Sequence, residues 1–242
     1  MKKIIACGCS WTHGFYWKDQ EHKIFDTFKN YPSLYGEKHG YDVINLSLPG
    51  ASTYAIAKQV EYAISLQPDL VMFNTTTNDR IDLKKSADIV FDNYVPSFKD
   101  FLYGIFANEH TAMCNDNIET GSFSTFLPNL SQLKNINDKN KNAIAKFIVM
   151  YDQYIDSAMR RDQNRLLVIG ILSLLKYSGI PYVCVDLTDI VSADYTEPVI
   201  KIHCDELIRK FPVASDSLHF NQDGHAYITD QLENFVKSNI KL

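Results

Sequence analysis

The sequence predicts an α/β protein whose parallel sheet is covered by helices on both faces. Two features of the pattern carry this: short, near-continuous apolar runs of the kind that strands buried on both faces require, and stretches of helical spacing between them. Length supplies the third. The chain has 242 residues, 45% hydrophobic and 22% charged, enough to bury about 70–75% of its unfolded surface in a single core.

The elements follow in order. Lys3 to Cys7 (KIIAC) is the first strand and stops at Gly8, and Tyr41 to Leu46 (YDVINL) is the second. Between them Phe25, Phe28, Leu34 and Tyr35 have helical spacing, giving strand, crossover, strand. Residues 51–66 form a helix opened by Ser52 and Thr53 and closed before Pro68, and Leu70 to Asn74 (LVMFN) is the third strand. The stretch 80–164 is too long for a simple crossover. Ala87, Phe91, Tyr94, Phe98, Leu102 and Ile105 repeat at helical spacing, interrupted by Pro96, so a mostly helical insertion or cap is expected there. Within it 108–142 reads as an ordered polar excursion, and Ile144 to Met159 as a second amphipathic helix. Residues 166–177 are strongly apolar before a helix stop at Gly179, and Pro181 to Leu187 (PYVCVDL) is a fourth buried strand. A last helix runs from near Asp223 to about Ile240. The whole reads as one domain, 1–242, with about five strands.

Composition narrows the function classes. The formal net charge is −5 and the Lys and Arg residues are scattered, so the basic footprint of a nucleic-acid binder is missing. Five cysteines, Cys7, Cys9, Cys114, Cys184 and Cys204, make an odd set without framework spacing, which points to a reducing compartment. The opening MKKIIAC has an apolar stretch far shorter than the roughly 7–15 residues of a signal-peptide core, and no run approaches the ~18 apolar residues of a membrane span. A cytoplasmic protein with no membrane or nucleic-acid partner is expected, with the insertion as a candidate homo-oligomer interface.

Ligands of a parallel sheet gather at the carboxyl ends of its strands. The first such turn is Gly8-Cys9-Ser10-Trp11-Thr12-His13-Gly14. Its two glycines allow a sharp turn that exposes Ser10, as a nucleophilic serine requires. A phosphate loop is excluded, since the glycines are one residue too far apart and Phe15 stands where the lysine would be. A serine nucleophile needs a histidine held by a carboxylate, and Asp216-Ser217-Leu218-His219 offers both on one short turn. Gly50, just after the second strand, can offer a backbone N–H to an oxyanion. Asn78, in Thr75-Thr76-Thr77-Asn78-Asp79 after the third strand, can offer its side-chain amide.

The order Ser, Gly, Asn, Asp-x-x-His resembles the SGNH (GDSL-type) esterase and lipase superfamily over most of the chain outside the insertion. The family's G-D-S-x-T-x-G block matches at Gly8, Ser10, Thr12 and Gly14, and its last block at Asp216 and His219. The resemblance implies a three-layer α/β/α flavodoxin-like fold and metal-free hydrolysis of acyl esters. It implies Ser10 as nucleophile, His219 as general base and acid, and Asp216 as the group orienting His219. The oxyanion donors it implies are the Gly50 N–H, Asn78 Nδ2 and the Ser10 amide. Two positions depart from the family: Cys9 stands where Asp is usual, and Thr76 where the third block has Gly.

Rival readings of the same residues are a turn or capping serine at Ser10, a turn glycine at Gly50 and a strand-end cap at Asn78. Cys9 is a second candidate nucleophile, because a thiol at a helix N-terminus can be acidified, but adjacent residues of one turn face different ways. His13 and His225 are the rival histidines, with His225 expected to open the last helix. Cys7, Cys9, His219 and His225 do not have a zinc spacing, and no cofactor motif is present. The expected function is serine-dependent hydrolysis of a small-acyl ester such as an acetyl ester, with a carbohydrate ester as a candidate substrate. An acyltransferase using the same triad, and a non-catalytic glycan- or protein-binding module on a degenerate SGNH fold, remain open on the sequence.

Overall fold

A computed structural model of the chain describes residues 2–18, 25–77, 80–84, 122–126, 157–191 and 198–240. The central sheet is formed by β1 (Lys3–Cys7), β4 (Asp42–Asn45), β5 (Leu70–Asn74), β8 (Tyr182–Asp186) and β9 (Val199–Lys201). Its spatial order is β4-β1-β5-β8-β9, and each neighbouring pair is parallel. Counted along the sheet strands this is 2-1-3-4-5, the flavodoxin-like doubly wound order. Every residue of β5 and β8 is buried, which explains why LVMFN and YVCVD lack polar alternation.

The first crossover steps from β1 outward to β4 through α2 (Tyr31–His39), and the second returns past β1 to β5 through α3 (Thr53–Ser65). Right-handed crossovers in opposite directions put these two helices on opposite faces. The remaining long helices complete each layer: α4 (Ser157–Ser178) packs against α3, and α6 (Gln222–Asn239) against α2. Lys38 of α2 lies 2.5 Å from Glu233 and 3.3 Å from Asp230 on α6, an exposed cluster worth little beside the apolar contact beneath it.

Local chemistry sets the helix limits. Asn30 caps α2 through Ser33 N–H, with Pro32 in the first turn and Gly40 in the left-handed conformation at its end. Ser52 caps α3 through Ala55 N–H. Asn221 accepts from the amides of Asp223 and Gly224 to open α6. At the end of α4, Gly179 has φ 71°, the stop expected from sequence. No described helix is long and apolar enough to cross a membrane.

Three expectations are corrected. Phe25 and Phe28 precede α2 rather than lying on it, because the chain first forms an antiparallel pair, β2 (Phe15–Trp17) with β3 (Phe25–Thr27). In the stretch expected to be mostly helical, β6 (Arg80–Lys84) pairs antiparallel with β7 (Ser122–Phe126). The expected end of the insertion at Asn164 falls inside α4, already helical from Ser157. The remaining helical segments expected between 85 and 156 lie outside the described residues. A short helix, α5 (Cys204–Lys210), leads into β10 (Pro212–Val213) and β11 (Asp216–Phe220).

Leu172 and Leu175 of α4 face the core at 1% and 0% exposure, whereas Leu174 is 40% exposed. Leu172→Ala is expected to cost about 2–5 kcal/mol, the range for a leucine deleted from a packed core, and Leu174→Ala well under 1 kcal/mol. Urea unfolding midpoints of the two variants check this.

Candidate active site

The direction of winding reverses between β1 and β5, which opens a crevice beyond their carboxyl ends. The Gly8–Gly14 turn leaves β1 at this point. Cys9 enters a four-residue helix, α1 (Ser10–His13), that ends at Gly14 with φ 85°. Gly8 is required by close approach: a Cβ there would lie 1.9 Å from Asn74 Oδ1 and 2.5 Å from Thr12 Oγ1. Gly14 is required too, since a Cβ would lie 2.4 Å from Phe28 O in a left-handed backbone.

Two side-chain carbonyls take the amides on the way into the turn. Gly8 N–H donates to Gln59 Oε1 of α3 at 2.6 Å, and Cys9 N–H to Asn74 Oδ1 at 3.1 Å. The next amide, that of Ser10, opens α1, where a helix N–H has no intrahelical acceptor. Cys9 is fully buried, and its Sγ accepts from Asn74 Nδ2 at 3.3 Å. The thiol therefore faces the core, and Ser10 is itself buried at 3% exposure rather than exposed as the turn predicts, because α1 is packed into the fold.

Asp216 and His219 sit on β11, not on a short turn as expected from their spacing. Residues three apart on a regular strand point to opposite faces. Here Val213 pairs with Asp216 and Pro212 with Phe220, so extra residues bulge out of β11 between the two pairings. The bulge exposes Ser217 and Leu218 and turns both Asp216 and His219 inward. His219 Nδ1 lies 2.5 Å from Asp216 Oδ2, and Leu218 N–H donates to Asp216 Oδ1 at 2.8 Å. Both residues are buried, at 2% and 7% exposure.

One contact brings this pair to the serine turn. Trp11 Nε1–H, next to Ser10, donates to Leu218 O at 3.0 Å, and Phe15 packs its ring edge-on to His219 with centroids 5.5 Å apart. Gly50, with φ 81°, lies in the loop after β4. That loop is tied to the same turn by Leu48 N–H donating to Gly8 O at 3.0 Å and Asn45 Nδ2 to Thr12 O at 3.3 Å. These contacts tie the segment of β11 that carries Asp216 and His219, and the loop that carries Gly50, to the turn that carries Ser10, while Asn78 lies outside the described residues, four positions beyond Asn74.

The structure adds three residues that motif reading passed over, Asn74, Gln59 and Trp11, and gives Thr12 of the first block a partner. Asn74, Gln59, Trp11 and Thr12 hold the turn through bonds spanning 19 to 207 positions of sequence, so no local spacing reveals them. A polar Asn closing the otherwise apolar run LVMFN was the one available sign. The Nδ1 of each rival histidine is buried without a hydrogen-bond partner among the described residues. Burial holds His13 down to about 4, and burial with the neighbouring His219 holds His225 down to about 3. His225 lies among the rings of Phe28, Tyr31 and Phe220 in the first turn of α6. Among the described residues no group of three His, Cys, Asp or Glu side chains is arranged to hold a metal.

No family model and no curated protein matches the chain. Solved structures similar to it include the psychrotrophic esterase EstA from a Pseudoalteromonas species, 11% identical over 98% of each chain with a TM-score of 0.49. Others are a carbohydrate acetylesterase family member from Sinorhizobium meliloti, 15% identical over 98% of each chain with a TM-score of 0.36, and the acetyl xylan esterase Est2A from Butyrivibrio proteoclasticus. The last is 11% identical, covers 99% of this chain and 64% of its own, and has a TM-score of 0.47.

A histidine held neutral in the fold but protonated when unfolded stabilises the protein above its unfolded pKa near 6.5, and the contribution is lost as pH falls. For His225, with a folded value of about 3, the loss between pH 8 and pH 5 is on the order of 2 kcal/mol. The melting temperature is expected to fall over that interval, and His225→Gln to flatten the fall. Thermal unfolding against pH for both proteins checks it.

Proposed function

We propose that the chain is an ester hydrolase of the SGNH type with Ser10 as nucleophile. The observation that carries the reading is the buried Asp216–His219 pair, delivered to the serine turn by the Trp11–Leu218 bond. Asp216 occupies Nδ1, which fixes the tautomer and orientation of the imidazole and leaves Nε2 for the serine hydroxyl. His219 takes the Ser10 proton as Oγ attacks the ester carbonyl, then passes it to the departing alkoxide. Water, activated by the same imidazole, releases the acid from the acyl-enzyme.

The negative charge of the tetrahedral intermediate needs donors already in place. The Ser10 amide is suited to this role because the two amides before it are consumed by Gln59 and Asn74. Gly50 N–H and Asn78 Nδ2 are the other donors in this reading. The acyl group we assign is small, acetyl foremost, carried by an alcohol such as a carbohydrate.

Hydrolysis of p-nitrophenyl acetate and a single fluorophosphonate adduct by intact mass are expected for the wild type and for neither reaction in Ser10→Ala. A wild type that neither turns over nor labels would sink the esterase reading. Asp216→Asn is expected to lower kcat by about 10³-fold or more through the wrong imidazole tautomer. Asn78→Ala is expected to lower it by about a hundredfold with folding intact, as for a lost oxyanion donor. Steady-state kinetics beside circular dichroism check both, and a near-normal rate removes the residue from the mechanism.

A further inference from the structure

We propose that Asn74 is the positioning residue of the nucleophile turn, holding Ser10 in register with the strand that leads to Asn78. The proposal rests on the reading of Ser10 as nucleophile and adds a residue which that reading did not contain. Its basis is the weakness of the turn by itself. A helix of four residues, α1, is far too short to be stable alone. Its first position is preceded by Cys9, whose side chain makes no capping bond, where Ser, Thr, Asp or Asn would ordinarily supply one. The placement of Ser10 must therefore be imposed from outside the turn.

Asn74 imposes it from both sides. Its Oδ1 accepts from Cys9 N–H at 3.1 Å, one residue before Ser10, and from Thr12 Oγ1–H at 2.7 Å, two residues after it. Its Nδ2 donates to Cys9 Sγ at 3.3 Å and to Thr75 O at 2.6 Å. All of these atoms are buried, and Asn74 itself is wholly inaccessible. With its proton committed to Asn74, Thr12 Oγ1 accepts from Tyr31 OH at 2.7 Å, which anchors the far side of the bracket to α2. Asn74 has its own position set by the sheet, as its backbone pairs in register with Val185 of β8. One carboxamide thus joins the serine turn to β5, and the chain from β5 reaches Asn78 four residues later. A displacement of about 1 Å in such a bracket is enough to cost on the order of a hundredfold in rate.

The test compares wild type, Asn74→Leu, Asn74→Asp, Thr12→Val and a control, Leu172→Ala, which removes core volume from α4, an element that makes none of the bonds holding the turn. Each is measured for kcat and KM on p-nitrophenyl acetate, for the rate of fluorophosphonate labelling, and for melting temperature. Asn74→Leu is expected to lose about 30- to 100-fold in kcat and in labelling rate with KM changed less than about threefold. Asn74→Asp keeps the Oδ1 acceptor and is expected to recover part of that loss. Thr12→Val, the smaller change, keeps the proposal testable where Asn74→Leu does not fold, with an expected loss of about tenfold. The proposal is overturned if the foldable variants keep wild-type kcat, or if Leu172→Ala at matched loss of melting temperature loses as much. Ser10-dependent activity in the wild type separates that failure from failure of the esterase reading, which a wild type without turnover or labelling would show.

Discussion

A carboxamide occupies the space where Gly8 has no side chain. Asn74 Oδ1 would be 1.9 Å from a Cβ on Gly8, and from that close approach it reaches Cys9 N–H and Thr12 Oγ1–H together. The alternatives to this contact are costly. Moving Asn74 away leaves the buried Cys9 amide without its acceptor, at about 1–3 kcal/mol, and takes from the Thr12 hydroxyl one of its two partners, Tyr31 being the other. Filling the space with a side chain at position 8 drives it into Asn74 Oδ1 and Thr12 Oγ1, at 1.9 and 2.5 Å from a Cβ there. The turn that carries Ser10, the loop that carries Gly50 and the path of the chain after β5 are all built outward from this one close approach.

The interior of the sheet was legible because burial on both faces leaves strands no freedom of pattern. Lys3–Cys7 and Leu70–Asn74 were readable to the residue, and Thr53–Ser65 to within two at either end, because Ser52 and Pro68 mark its limits chemically. Short edge elements were not. Phe15–Trp17 and Phe25–Thr27 pair with each other at three residues each, too short for any period to declare itself, and the aromatic spacing through Phe28 imitates a helix. Val199–Lys201 is equally short. Pairing between β6 and β7 joins segments about forty residues apart, a contact that no local window contains.

The same division runs through the candidate site. Ser10, Asp216 and His219 were legible as residue types at diagnostic spacings. Their support was not, because support is tertiary: a ring nitrogen of Trp11 meeting a carbonyl at position 218, or Gln59 in mid-helix accepting from Gly8. Even the legible pair came with the wrong local structure. A three-residue spacing suggests a turn, but the chain uses a bulged strand, since the hairpin with Pro212–Val213 already fixes β11 against the end of α5 and only the bulge need change to turn both groups inward. The bulge also lifts Leu218 O out of the ladder, and that carbonyl is the acceptor for Trp11.

A second buried carboxylate shows how the neighbouring strand end is stiffened. Asp186, at the end of β8, accepts from Thr75 Oγ1 at 2.8 Å and from the amides of Thr188, Ile190 and Val191 at 3.0 to 3.3 Å. Thr75 Oγ1 in turn accepts from Leu187 N–H at 2.9 Å. A buried charge is tolerated when several donors replace water, and here those donors come from the loop after β8 and the first residue after β5. Asn74 and Thr75 are therefore held by different partners on opposite sides: Asn74 to the serine turn, Thr75 to the Asp186 loop. Consecutive residues anchored in two directions leave the chain little freedom as it leaves β5. That constraint acts one strand away from Ser10 and precedes Thr76, which is fully buried.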